Sequence, residues 1–191
     1  ILIGARVNIV SDWFAKDYLI QIFNDTKSDT IFIDDISYPL IKESINESNI
    51  KNIVCFSITD SLKNGYNPYQ NIDNLFHEFK NNVSFVKDDF CGSVLNSNEF
   101  VNIGSNYDGK IVESVDLDDI CSITYTSGTT KPGYPKGVKQ SNRSYITLSR
   151  FKESDVSGMP TMKNMSVLAH IPTDTHMELS CAISDTLYCG C

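Results

Sequence analysis

The sequence has a shortage of basic residues, and this shortage bears on the kinds of partner that the chain can bind. Lysine and arginine number 16 against 24 aspartate and glutamate residues, which gives a net charge of -8 over 191 residues. Proteins that hold nucleic acid by its backbone need an excess of basic side chains to neutralise the phosphates. The composition therefore argues against a general nucleic-acid binder.

Long apolar runs are also missing. No stretch approaches the roughly 18 apolar residues of a membrane-spanning helix, and the N-terminus lacks the basic and apolar pattern of a secretory signal. We therefore expect a soluble, cytoplasmic protein without a transmembrane segment. The chain begins in strand-like sequence at residues 1–5 without an initiator methionine, so we expect a fragment of a longer protein.

The six cysteines do not form a C-x-x-C pair or the cysteine and histidine spacing of a zinc site. Cys55 and Cys121 lie in apolar runs, where a buried, reduced thiol is the usual state. Cys189 and Cys191 stand close together at the end of the chain, but two ligands do not make a zinc site. We therefore predict no metal site and a reducing compartment.

The first third of the chain alternates between strand-like and helix-like patterns. Strands are predicted over residues 1–10, 30–33 and 52–56, and Ser11 or Asp12 is expected to cap the first of the two intervening helices. Alternation of this kind implies parallel strands joined by crossover helices. The sequence therefore predicts an α/β fold with mostly parallel β-sheets flanked by helices.

Further elements follow from the spacing of apolar residues. We expect an amphipathic helix over residues 72–79, a short helix near 90–95 followed by a loop, a strand over 120–125, a helix capped by Ser141, a strand over 167–171 and a helix over 175–189. The acidic run at residues 116–119 is read as a solvated face rather than a metal site, because charge runs usually face water.

The segment whose residue types best suit the binding of an anion follows the strand over 120–125. Residues 125–138 contain four serine and threonine side chains, three glycines and two lysines. Glycines let backbone N–H groups converge on an anion, hydroxyl groups donate hydrogen bonds, and lysine adds a positive charge for phosphate oxygens. The composition of this segment predicts a phosphate-binding loop.

Two other interpretations of this loop fit less well. Gly128 and Gly133 have the spacing of a P-loop, but Tyr134 and Pro135 follow where that motif needs lysine and then serine or threonine. An ordinary surface turn is also rich in these residue types. Such turns rarely combine six consecutive residues of this kind with a Pro-Lys-Gly ending.

The loop resembles that of the adenylate-forming superfamily, which includes acyl-CoA synthetases and the adenylation domains of peptide synthetases. The family motif reads Y-T-S-G-T-T-G-x-P-K-G-V, and residues 125–130 and 133–138 match its two halves. Lys131 and Pro132 form a two-residue insertion between them. The chain also departs from the family's Ser-His-Arg-Asn at residues 141–144, where it has Ser-Asn-Arg-Ser.

The resemblance implies that residues 1–191 are one incomplete piece of the large N-terminal domain of such an enzyme. It implies that ATP, Mg²⁺ and coenzyme A take part, and that a carboxylic acid, by preference a fatty acid, becomes an acyl-adenylate and then a thioester. The fragment alone is expected to be inactive, because the rest of the family's ATP site would lie beyond Cys191.

The resemblance also assigns site residues. Lys136 is the expected catalytic residue, and the ATP phosphates are expected to contact Thr126, Ser127, Gly128, Thr129, Thr130, Gly133, Lys136 and Gly137. His176 resembles a histidine beside the acyl pocket of acyl-CoA synthetases, although it stands one residue further from the preceding proline than in that family, and capping of the following helix is the alternative role. Asp174 keeps open an amino-acid adenylation domain, since the ammonium group of an amino acid needs an acidic partner. A degenerate, non-catalytic binding module is the third possibility.

Overall fold

Two small three-stranded sheets organise the part of the chain that is described. The computed structural model describes residues 4–57, 60, 82–109, 116–126 and 135–153, with the backbone alone at 82–85 and 151–153. The chain divides into two compact units, one formed by residues 12–109 and the other by residues 1–11 and 110–191. The prediction of a single incomplete domain over 1–191 stays a prediction.

The elements are numbered here in chain order. They are β1 (Val7–Asn8), α1 (Lys16–Asp25), β2 (Thr30–Asp34), α2 (Tyr38–Asn46), β3 (Asn52–Phe56), α3 (Asn82–Asp89), β4 (Ser93–Asn96), α4 (Ser97–Ser105), β5 (Ile120–Tyr125), β6 (Gly137–Ser141) and α5 (Asn142–Glu153).

The unit formed by residues 12–109 contains a parallel sheet of strand order β2-β3-β4. Parallel neighbours need crossover connections, and α2 supplies the one between β2 and β3. The buried core of this unit comes from both helices and strands, including Leu19, Ile22, Phe23, Ile33, Ile41, Ile45, Ile53 and Cys55. The predicted α/β fold of mostly parallel sheets flanked by helices is confirmed.

Two neighbouring aspartates at the end of β2 have opposite environments. The Asp34 carboxylate accepts hydrogen bonds from the backbone N–H groups of Ile36 and Ser37 at 3.0 and 2.8 Å, and from the Ser37 hydroxyl at 3.0 Å. Asp35 is only 1% exposed, and neither of its carboxylate oxygens has a hydrogen-bond partner among the described residues. Asp34 therefore stabilises the turn into α2, whereas Asp35 is a buried carboxyl whose charge is only partly compensated, by Ser57.

The other unit contains a sheet of order β1-β5-β6, in which β1 is parallel and β6 antiparallel to β5. Ser141 caps α5 as predicted, because its hydroxyl accepts a hydrogen bond from the Ser144 N–H at 3.3 Å. The Ser144 hydroxyl in turn accepts from the Ser141 N–H at 2.9 Å. This reciprocal pair is a capping box built from two serines.

Four of the sequence predictions are wrong in detail. Between residues 4 and 10 the strand covers only Val7–Asn8, and α1 begins after Ala15 without a side-chain cap, so neither Ser11 nor Asp12 caps it. The region near 90–95 contains the start of β4 and not a helix, and α4 lies where a loop was predicted to follow. The predicted elements over 72–79, 167–171 and 175–189 lie outside the described residues.

Candidate phosphate-binding site

The segment that was predicted to bind phosphate connects two antiparallel strands. Tyr125 is the last residue of β5 and pairs with Gly137, the first residue of β6. The ends of the segment, at residues 125–126 and 135–138, are described, and residues 127–134 lie outside the described part. The two strands thus set the separation of the two ends of the loop. We call these two ends, residues 125–126 and 135–138, the neck.

The neck is closed by two hydrogen bonds between Thr126 and Lys136. The Thr126 N–H donates to the Lys136 carbonyl at 3.1 Å, and the Lys136 N–H donates to the Thr126 Oγ1 at 3.1 Å. Because the threonine oxygen acts as the acceptor in the second bond, its own hydrogen stays available for another acceptor. A phosphate oxygen is a suitable acceptor for that hydrogen.

Lys136 provides the positive charge at the neck. Its side chain is exposed, and no carboxylate of the described residues forms an ion pair with it. A lysine ammonium without an acidic partner is a compact cation with three hydrogen-bond donors. The chemistry of Thr126 and Lys136 therefore fits an anion with several oxygen atoms, such as the phosphates of a nucleotide.

Gly137 occupies a crowded position beside the neck. A Cβ atom at this residue would lie 3.2 Å from Tyr125 Cε1 and 3.3 Å from Ile123 Cγ2. The absence of a side chain therefore lets the tyrosine ring lie close to the backbone of β6. On the other side of β5, the Tyr125 hydroxyl donates a hydrogen bond to Asn8 Oδ1 at 2.8 Å.

The acidic run at residues 116–119 lies at the opposite end of β5. All four residues are exposed, which agrees with their interpretation as a solvated face. Arg143 forms a bidentate pair with Asp118 at 2.6 and 3.0 Å, and this arginine lowers the pKa of the Asp118 carboxyl. A strand rises about 3.3 Å per residue, so the length of β5 separates the run from the neck by about 17 Å.

The structure thus describes three of the residues assigned to the site. Thr126, Lys136 and Gly137 lie together at the neck. The other assigned residues lie outside the described part: Ser127, Gly128, Thr129, Thr130, Gly133 and His176. Their roles stay predictions.

Sequence reasoning gave no role to Asn8 or to the Tyr125 side chain, although both lie next to the neck. Strand alternation alone indicates that Tyr125 shares a face of β5 with Ile123. No local signal indicates that Asn8, 117 positions earlier in the chain, pairs with that strand. This contact could be found only from the three-dimensional arrangement.

Comparison with known proteins gives a match over the whole chain. Residues 1–191 match the protein family described as "AMP-binding enzyme". No curated protein matches the chain at a significant level.

Solved structures with a similar fold are large enzymes. The adenylation domain of a carboxylate reductase from Mycobacterium chelonae superposes with a TM-score of 0.64 at 14% identity, over 96% of this chain and 26% of that one. A long-chain-fatty-acid-CoA ligase from Archaeoglobus fulgidus gives a TM-score of 0.57 at 16% identity, over 96% and 28%. The anthranilate CoA ligase AuaEII gives 0.51 at 17% identity, over 78% and 22%.

These similarities establish the fold. The chain spans about a quarter of the length of the three structures named, with coverage between 22% and 28%. In the part of the chain that the structure describes, no helix has the length and apolar character needed to cross a membrane.

Proposed function

Because the chain belongs to the AMP-binding enzyme family, we propose that the complete protein activates a carboxylic acid with ATP. In the first step a carboxylate oxygen attacks the α-phosphorus of ATP, the bond to the pyrophosphate oxygen breaks, and an acyl-adenylate forms. In the second step the sulfur of coenzyme A attacks the acyl carbon, AMP leaves, and the thiol proton passes to solvent. The observation that supports this proposal best is the loop neck, where Thr126 and Lys136 are joined at the end of an antiparallel strand pair.

The role of the loop in this reaction is electrostatic. Negative charge accumulates on the pyrophosphate as it leaves, and a fixed cation and hydroxyl donors lower the energy of that state. The Lys136 ammonium and the Thr126 hydroxyl are available for this purpose at the neck. Ser127, Thr129 and Thr130 would add donors, and Gly128 and Gly133 would let backbone N–H groups approach the phosphates.

Magnesium and coenzyme A belong to the proposal as companions of the substrates. Among the described residues, no group of three or more acidic, histidine or cysteine side chains is arranged to hold a metal ion. We propose that Mg²⁺ enters bound to ATP.

The described cysteines are all free. Because thiols stay reduced in the cytosol, a cytoplasmic location suits this chain.

We propose a fatty acid as the carboxylate, on the resemblance of the His176 segment to acyl-CoA synthetases. An amino acid is the second candidate, because Asp174 could hold an ammonium group. The two substrates differ in charge and length, so a single assay separates them.

The test is the exchange of labelled pyrophosphate into ATP by the full-length protein, with fatty acids and amino acids supplied one at a time. We expect exchange to depend on an added fatty acid. Exchange with amino acids alone would replace the fatty acid with the second candidate. No exchange with any carboxylate would contradict the proposed activity and favour a non-catalytic binding module.

The same assay tests Lys136. Lys136→Ala should lower the exchange rate by about 100-fold, since removing one group that stabilises developing negative charge has an effect of this order. Lys139→Ala is the matched control, because Lys139 is also exposed on β6 but pairs with Ile123, away from the neck. Equal rates for the two variants would contradict the role assigned to Lys136.

A further inference from the structure

We propose that Tyr125 and Asn8 form a brace that positions the phosphate loop for ATP. Tyr125 is a positioning residue in this proposal, since its phenol acts on the neck through β6 and does not contact the nucleotide. The proposal deepens the proposed function, on which it rests, by naming a support for the ATP site outside the loop itself.

The brace joins two strands on one face of the sheet. Asn8 pairs with Ile123 in the parallel ladder, and side chains that pair lie on the same face. Tyr125 lies two residues beyond Ile123 and therefore shares that face. The 2.8 Å hydrogen bond from the Tyr125 hydroxyl to Asn8 Oδ1 then ties the ring to β1.

The same ring also lies against the start of β6. A Cβ atom at Gly137 would be 3.2 Å from Tyr125 Cε1 and 3.8 Å from Cδ1, so the ring edge is in close contact with this glycine. Packing of an aromatic ring over a cross-strand glycine is a known way to support a weak strand position. The ring held by Asn8 therefore restricts where β6 can begin.

The backbone links the start of β6 to the charged group of Lys136. Lys136 immediately precedes Gly137, and its backbone is hydrogen-bonded to Thr126, which follows Tyr125. The ring of Tyr125 thus packs against Gly137, the covalent neighbour of Lys136. Lys136 in turn is hydrogen-bonded to Thr126, the covalent neighbour of Tyr125. Loss of the phenol hydrogen bond removes one support of the ring, and with it one support of the lysine backbone.

Position matters here because catalytic groups act only in a narrow geometry. A misplacement of about 1 Å can lower a rate by about 100-fold. Loosening the neck should weaken the interaction with ATP and leave the affinity for the carboxylate unchanged, because the ring held by the brace lies against Gly137 at the neck of the phosphate loop. A general loss of stability would have no such selectivity.

The test uses four variants of the full-length protein: Tyr125→Phe, Asn8→Ala, the double variant and Asn8→Asp. We measure the dissociation constant of MgATP by calorimetry, the KM values for ATP and for the carboxylate in pyrophosphate exchange, and the urea midpoint. Tyr125→Phe and Asn8→Ala should each weaken ATP binding about fivefold, the effect of one lost hydrogen bond. The double variant should match the single ones, and Asn8→Asp, which keeps an acceptor oxygen for the Tyr125 hydroxyl, should bind ATP more tightly than Asn8→Ala does.

Tyr145→Phe is the matched control. The Tyr145 hydroxyl is joined to Ser122 Oγ at 2.8 Å in the same unit, so its removal also deletes one phenol hydrogen bond. This variant should lower the urea midpoint without changing the dissociation constant of MgATP. If it weakens ATP binding as much as Tyr125→Phe does, the effect is one of stability and the brace is overturned.

The outcomes also separate the brace from the proposed reaction. The brace is overturned if Tyr125→Phe binds ATP with wild-type affinity. It is also overturned if the losses of ATP-binding free energy in the two single variants add up fully in the double variant. Both results hold even if exchange with a carboxylate is normal. A wild type that binds ATP but exchanges no pyrophosphate overturns the reaction, and the calorimetric comparison still decides on the brace. A wild type that binds no MgATP overturns both. If Tyr125→Phe does not fold, the comparison of Asn8→Ala with Asn8→Asp decides instead, since Asn8 is only half-buried.

Discussion

Replacing Asp35 with asparagine should change how the stability of the chain depends on pH. Burial raises the pKa of the Asp35 carboxyl above its ordinary value of 3.8, and the neighbouring charges of Asp34 and Asp60 raise it further. Ser57 offsets only part of this rise. The folded chain therefore keeps a proton on Asp35 at pH values where the unfolded chain has released it.

The sign and size of the effect follow from proton linkage. Below pH 3.8 both states hold the proton, so Asp35 then causes no loss of stability. As the pH rises from there to the raised pKa, the free energy of unfolding falls by up to about 1.4 kcal/mol per pH unit from this group alone. Above the raised pKa the group contributes no further slope.

An asparagine side chain does not titrate, so Asp35→Asn should remove this slope. The measurement is urea unfolding of both chains, followed by circular dichroism at several pH values between 4 and 8. The stability of the variant relative to the wild type should increase with pH and then level off. A constant difference at all pH values would refute the reasoning, because an altered hydrogen bond shifts the curve without changing its slope.

Asp34→Ala is the matched comparison at the adjacent position. Its carboxylate accepts three hydrogen bonds from the turn into α2, so its removal should lower the free energy of unfolding by about 1–2 kcal/mol. Two neighbouring aspartates should therefore respond differently, since the turn satisfies the carboxylate of Asp34, whereas the charge of Asp35 is buried with only partial compensation. Equal responses would mean that burial and hydrogen bonding do not distinguish them.

Two further predictions concern the unit formed by residues 12–109. Asn96→Ala should lower the free energy of unfolding in urea by about 1 kcal/mol, because Asn96 accepts a hydrogen bond from the Glu99 N–H at 2.8 Å in the capping box of α4. Asn96→Ser should retain most of this stability, since serine also caps helices. An equal loss in the two variants would count against the cap. A thiol reagent applied to the native chain should label exposed Cys91 before Cys55, since burial raises the pKa of the Cys55 thiol to about 11. Peptide mapping checks this order, and equal labelling would contradict it.

Local patterns were sufficient to predict the helices and strands between residues 16 and 56, because α1 and α2 bury residues at helical spacing and β3 is a short apolar run. The pairing of strands was not predictable in the same way. Alternation suggested that the first strand continues the same sheet, but β1 pairs with β5, more than a hundred residues away. Such pairing depends on contacts that no short window of sequence contains.

The wrong helix near residues 90–95 has a similar cause. Phe90, Val94 and Leu95 have spacing that suits a helix, yet the chain turns at Gly92 and enters β4. A Cβ at Gly92 would collide with the Lys51 carbonyl oxygen, to which Ser93 donates a hydrogen bond at 3.0 Å. The close approach to Lys51, which precedes β3, decides the conformation, and local propensity does not.

The antiparallel return of the chain also bears on the insertion of Lys131 and Pro132. The neck is set by pairing between β5 and β6, so the number of residues between Thr126 and Lys136 does not alter which atoms meet there. Nine residues separate them, against seven in the family motif. Closing the longer loop costs only about 0.2 kcal/mol more, since loop entropy grows with the logarithm of length. The insertion therefore gives no energetic reason for Lys136 to leave its position opposite Thr126, and the departure from the motif does not by itself argue against phosphate binding.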